Sequence, residues 1–198
     1  MLRMVQLARV AAYVAVTLAI SVGAITATAA GPGPLPNPYR TVRDYFKFPT
    51  GREWGQVASV DVNPKGNIWI FEWCGGKACN DSKEHSIHAF DPSGKLIRSF
   101  GAGIIMSPHG ITVDDDNNVW VTDGEIGPGK HGHQVFKFSQ DGKLLMTLGR
   151  AGVPGTTPDT FNRPGDVAID KNGDIFVAGG HGDDSNAAGQ VHEGWEVY

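Results

Sequence analysis

From Ala58 onward, apolar and polar residues alternate in short runs that stop at clusters of Asp, Asn, Gly and Pro. A period of two over four to eight residues marks a half-buried strand, and almost no stretch after residue 40 holds the longer period of an amphipathic helix. Three segments superimpose: "ASVDVNPKGNIWIFEW" from Ala58, "HGITVDDDNNVWVTDG" from His109 and "GDVAIDKNGDIFVAGG" from Gly165. Each predicts an apolar strand, a polar turn and a second strand with an aromatic at one fixed place: Trp69, Trp120 and Phe176, spaced 51 and 56 residues apart. A second pair, "HAFDPSGKLIRSFG" from His88 and "QVFKFSQDGKLLMTLG" from Gln134, predicts further hairpins, with Gly94 and Gly142 at turns where positive φ costs a glycine little. One unit is therefore four antiparallel strands in about 50 residues, the size of a propeller blade. The sequence supplies two such units and the first half of a third.

The flanks read differently. Arg3 and Arg9, the apolar stretch from Val10 to Ile25 and Ala27-Thr28-Ala29 have the three-part layout of a secretory signal peptide over 1–29. The run falls short of the roughly 18 to 20 apolar residues that a bilayer core needs, so no stable membrane span is expected after cleavage; a retained anchor is the competing reading. Residues 30–40 form a Pro/Gly-rich linker, 41–182 the partial propeller, and 183–198 a divergent tail in which no alternating strand is expected.

Charge narrows the partners. The chain carries a net charge of −4, and loss of the leader leaves 15 Lys+Arg against 21 Asp+Glu. With no basic stripe, nucleic acid is not expected as a partner. The two cysteines, Cys74 and Cys79, share a Gly-rich loop, "WCGGKACND". In an exported chain they predict a local disulfide; a zinc half-site is the rival, without a second cysteine pair to complete it.

Several polar clusters invite a metal reading. Asp114-Asp115-Asp116-Asn117-Asn118 fails the EF-hand pattern, lacking the glycine at the sixth place and the closing glutamate, so it is read as a hairpin turn, as are Asp170, Asn172 and Asp174. His131 and His133 lie two apart at a strand entrance and are read as solvated; His85 and His88 carry less signal still. His181 sits in a Gly-rich loop with access to the channel. His109 stands out by its place in the repeat, where the other units have Ala58 and Gly165. A residue leading into the innermost strand faces the channel, which leaves a ligand contact and simple filler evenly balanced, since one histidine never makes a metal site.

Together, "SPHGITVDDDNNVWVTDG", "GHQVFKFSQDGKLLMTLGRAGVPG" and "FNRPGDVAIDKNGDIFVAGGHG" resemble NHL repeats, and in particular the peptidyl-α-hydroxyglycine α-amidating lyases (peptidylamidoglycolate lyases) and their bacterial relatives, from about Tyr39 to about Gly182. The resemblance implies an all-β fold, a β-propeller of NHL-type four-stranded blades, with about two and a half of an expected six present here. It also implies zinc held by three histidines in the channel, a calcium nearby, and release of glyoxylate from a peptide substrate. Carried onto this chain, the histidine of "PHG" makes His109 a zinc ligand, and backbone carbonyls make Val60 and Ile111 calcium contacts.

The chain departs from that family in three ways. Trp73 stands where the family has its catalytic arginine and cannot supply a charge or forked donors. His181 stands where the family has its catalytic tyrosine, although an imidazole still moves protons near neutral pH. The remaining zinc histidines and the calcium aspartate would come from later blades. A partial propeller should expose two open β faces. Two readings fit: a truncated or frameshifted product, favoured by the abrupt loss of pattern within a blade, or closure by self-association with another chain. The functional expectation is an exported zinc- and calcium-dependent lyase that is inactive or incomplete as this chain. The alternative is a non-catalytic binding scaffold whose recognition element is the Cys74 to Cys79 loop with Trp73.

Overall fold

The computed structural model describes residues 37–49, 51–79, 82–124, 131–179 and 195–197. The signal-peptide reading, most of the linker and His181 lie outside them. The chain divides into two compact units, 1–41 and 42–198. Of the first, only 37–41 are described, without regular structure.

The second unit is all-β among its described residues. Strands β1 (Val57–Val62), β2 (Ile68–Glu72), β3 (Ile87–Phe90) and β4 (Leu96–Phe100) form one antiparallel sheet in sequence order. A second sheet of the same order contains β5 (Pro108–Val113), β6 (Val119–Asp123), β7 (Gln134–Phe138) and β8 (Leu144–Leu148). The third contains β9 (Pro164–Ile169), β10 (Ile175–Gly179) and β11 (Trp195–Val197), in the order β11-β10-β9. This last strand corrects the expectation that the tail holds none: Phe176, Val177 and Ala178 pair antiparallel with Val197, Glu196 and Trp195. Its three residues are too short a run for alternation to signal.

The repeat is visible in the turns. Gly66, Asn117 and Gly173 occupy one place in the three inner hairpins, with φ of 81°, 64° and 91°. These left-handed values favour Gly or Asn, which the sequence supplies. The acid run behaves as a turn: Asp114 Oδ1 accepts the Asn118 amide, and Asp170 Oδ1 accepts those of Asn172 and Asp174. Gly94 and Gly142 also have positive φ, as expected of their hairpins.

Apolar faces bind the sheets together. Trp69, Phe71 and Ile87 of the first sheet pack with Ile111, Val121 and Phe138 of the second in one buried cluster. Trp120 and Val135 of the second pack with Val167 and Val177 of the third, with Phe161 between strands. Each such buried side chain contributes about 1.5–3 kcal/mol of transfer free energy.

Equivalent polar positions add links between the inner strands. Asp61 Oδ2 accepts the Val113 amide at 2.7 Å, and Thr112, 51 residues on, donates its hydroxyl to the Val167 carbonyl at 2.6 Å.

The outer side of the first sheet is not bare. Phe46, Phe48 and Trp54 pack on Ile68, Ile70 and Phe90, covering the face that a preceding sheet would cover. The expected open face is thereby reduced to its inner edge, where Val60 and Val62 remain 58% and 56% exposed while Ile111, the equivalent of Val60, is 4% exposed.

Candidate functional site

The starts of β1, β5 and β9 and the ends of β2, β6 and β10 lie at one end of the sheets, because each pair is antiparallel. His109, second residue of β5, is half-buried there. Its Nδ1 lies 2.6 Å from the carbonyl oxygen of Gly165, the residue in its own place in the next sheet. A carbonyl only accepts, so Nδ1 carries the proton and, in the neutral ring, Nε2 carries the lone pair. A backbone carbonyl holding one imidazole nitrogen is the usual arrangement behind a metal-ligating histidine. A zinc site, however, takes three or four protein donors, and no group of three or more His, Cys, Asp or Glu side chains suited to a metal occurs among the described residues. The described part of the chain therefore fits one zinc ligand and not a zinc site.

Val60 and Ile111 sit at equivalent places on β1 and β5, strands linked through Asp61 and Val113. Calcium takes six to eight oxygens, so two carbonyls would be only part of its shell.

The Cys74 to Cys79 disulfide is present, with Cα atoms 5.2 Å apart. Trp73 is half-buried beside it, its amide donating to the Gln56 carbonyl at 2.9 Å. Sequence reasoning missed the group that fixes this loop. Glu72, fully buried, accepts at Oε2 from the amides of Gly55 and Gly75, both at 2.8 Å, and at Oε1 from Arg52 at 2.7 Å and His88 at 3.2 Å. Arg52 also pairs with Glu84 at 2.8 Å. Burial pushes the Glu72 carboxyl up, but bonds from His88, Arg52 and the Gly75 amide outweigh it and leave it below its usual value. His88 belongs inside this network and not to the polar surface, and burial holds its imidazole below the usual value.

In the second sheet Asp123 takes the place of Glu72. It accepts the amides of Ser107 at 2.6 Å, Gly132 at 3.1 Å and Met106 at 3.2 Å. Both acids organise backbone, and neither is placed as a general acid or base. His133, read as solvated, is instead fully buried, with Nδ1 accepting the Arg163 amide at 3.0 Å. A left-handed φ of 57° at His133 turns the ring inward, which strand alternation does not anticipate. His131 is exposed, as expected.

The NHL repeat family matches residues 106–138, the stretch containing His109, β5, β6 and β7. A Caenorhabditis elegans protein described as a probable peptidyl-α-hydroxyglycine α-amidating lyase is 37% identical over 149 residues, covering 68% of this chain and 41% of that one. This chain carries an NHL repeat and is related to the amidating lyases. A second relative, Drosophila melanogaster peptidyl-α-hydroxyglycine α-amidating lyase 1, is 36% identical over 148 residues, 64% of this chain and 26% of that one. The NHL-repeat chain thus spans less than half the length of the curated relatives it matches. Among solved structures, virginiamycin B lyase from Staphylococcus aureus aligns with a TM-score of 0.43 at 19% identity, covering 66% of this chain and 36% of that one.

Proposed function

We propose that this chain forms part of an exported β-propeller of the amidating-lyase type, with His109 contributing one ligand to a zinc site whose other donors lie outside the described residues. The supporting observation is the His109 Nδ1 to Gly165 carbonyl contact, which orients the ring as a ligand through Nε2, in a segment where the sequence is related to amidating lyases. Val60 and Ile111 would offer carbonyls to a calcium. The substrate class is a peptide ending in α-hydroxyglycine. Export is supported by the leader-like sequence and by the Cys74 to Cys79 bridge, which persists in an oxidising compartment. The exposed Val60 and Val62 support association of the first sheet's inner edge with further β-structure, including self-association.

This chain alone should release no glyoxylate, since Trp73 and His181 lack the groups the family uses and one imidazole does not hold a catalytic zinc. The test is a chimera in which residues 41–182 replace the matching part of the C. elegans relative. It should fold and bind as much zinc as the parent but be inactive, and Trp73→Arg with His181→Tyr should restore glyoxylate release, whereas His109→Ala in the chimera should lower its zinc content. Glyoxylate release by the 198-residue chain would overturn the incomplete-site reading. A folded, zinc-loaded chimera that stays inactive with both replacements would overturn the lyase reading.

A further inference from the structure

The inner strand of each sheet slips register at the same place. Val57 pairs with Glu72 but Ser59 with Phe71, Pro108 with Asp123 but Ile111 with Val121, and Pro164 with Gly179 but Asp166 with Ala178. By their position in the repeat, the extra residues of these bulges are Ala58, His109 and Gly165. A bulge bends its strand, re-aims the side chain it carries and leaves nearby backbone groups without ladder partners. His109 is therefore presented by a bulge, and the residue across from it in the third sheet, Gly165, sits in a bulge of its own.

One hydroxyl joins the two bulges. Thr122 Oγ1 accepts the Gly110 amide at 2.7 Å and lies 3.2 Å from the Gly165 carbonyl oxygen, which also receives His109 Nδ1 at 2.6 Å. An amide only donates and a carbonyl only accepts, so the Thr122 proton goes to Gly165 and the His109 proton to the other lone pair of the same oxygen. Thr122 is fully buried, so its two partners depend on that hydroxyl and not on bulk water. The bulge itself does not require it: the equivalent residues of the first and third sheets are Phe71 and Ala178, which have no hydroxyl, yet both sheets slip register in the same way. Those two sheets also have no histidine at the bulge. Hydroxyl and imidazole occur together, in the second sheet.

We propose that Thr122 is the positioning residue of His109, its hydroxyl aligning the Gly165 carbonyl so that the imidazole keeps its proton on Nδ1 and its lone pair on Nε2. A free histidine side chain favours the opposite tautomer, so the hydrogen bond on one nitrogen decides what the other offers. The tautomer is a property of the chain without metal; its bearing on zinc rests on the proposed role of His109 as a ligand.

The test is long-range proton–nitrogen correlation NMR of the histidine rings of the full chain, in EDTA at about pH 8.5, where an ordinary imidazole is neutral. His109→Gln assigns the signals. In the parent, at least about nine-tenths of His109 should carry its proton on Nδ1; Thr122→Val, which keeps the shape and removes the hydroxyl, should raise the Nε2-protonated fraction at least about threefold, and Thr122→Ser should return it to the parent value. Should Thr122→Val fail to fold, Thr122→Ala introduces the residue type that the third sheet already carries at this place and is read in the same way. A parent ring protonated on Nε2, a tautomer unmoved by loss of the hydroxyl, or no return with Thr122→Ser would each overturn the proposal. Zinc is measured separately in the chimera with the C. elegans relative, where Thr122→Val should weaken binding about tenfold and Thr122→Ser should not. A tautomer that responds to Thr122 while zinc affinity does not would uphold the positioning role and overturn the ligand role of His109.

Discussion

The imidazole of His109 reaches across to the backbone of Gly165, with Nδ1 2.6 Å from the carbonyl of the residue that replaces it in the third sheet. The contact depends on small residues at the meeting of β5 and β9. A Cβ on Gly110 would lie 2.7 Å from the Gly165 carbonyl oxygen and 2.8 Å from the Asp166 Cα, whereas one on Gly165 would meet nothing closer than 3.6 Å.

Gly110→Ala should therefore force two inner strands apart and cost about 1–3 kcal/mol, as overpacking does. Gly165→Ala should be within about 0.5 kcal/mol of the parent. Urea unfolding midpoints of the two variants check this. Equal midpoints would show that the sheets give way more easily than the contact distances imply.

The disulfide closes a loop of sequence separation 5, with left-handed φ at Cys74 and Gly75. Chain-entropy arguments give such a short loop about 2 kcal/mol of stabilisation. Glu72 holds the same loop through the Gly75 amide, so replacing both cysteines by serine and replacing Glu72 by Gln should not be additive. A double-mutant cycle in urea measures the coupling, and strict additivity would count against a shared role.

These relationships show where the sequence was readable. Trp69, Trp120 and Phe176, with the turns at 66, 117 and 173, were legible because each strand pair is a local unit repeated at a nearly fixed offset. The place of His109 followed from the same offset. Arg52, Glu72 and His88 were not legible, because their bonds span 16 and 20 residues and follow no period. The segment from Phe46 to Trp54 gave no sign that it would cover Ile70 and Phe90, since its three aromatics are scattered among Lys47, Arg52 and Glu53 with the sustained period of neither strand nor helix. Residues that organise loops across sheets are visible only after the sheets are assembled.

Acid should weaken the first sheet before it weakens the others. The His88 imidazole lies below its ordinary value of 6.5, chiefly through burial, so the folded chain takes up its proton less readily than the unfolded chain. Its contribution is complete above that ordinary value and is lost as pH falls from it through the folded value. His88→Gln, which keeps a donor toward Glu72, should flatten the fall in unfolding midpoint between about pH 7 and pH 5.5. An unchanged slope would assign that fall to other groups.

Glu72 and Asp123 hold equivalent places and should respond to pH in opposite directions. Glu72 has a guanidinium beside it and ends below its ordinary value of 4.5, so its contribution is present above that value and is lost as pH falls through the folded one. Asp123 is raised above 3.8 because burial outweighs its bonds from the amides of Ser107, Met106 and Gly132 and the His131 charge. The folded chain then binds that proton more tightly than the unfolded chain, and the Asp123 contribution declines as pH rises from its ordinary value through the folded one. Asp123→Asn should cost about 1–3 kcal/mol by leaving buried amides without an acceptor, and the cost should shrink as pH rises because the parent then carries a desolvated charge. The cost of Glu72→Gln should grow over the same rise. Unfolding midpoints of both variants and the parent at about pH 4 and pH 7 decide the matter. Parallel slopes would mean that Arg52 does not distinguish the two acids.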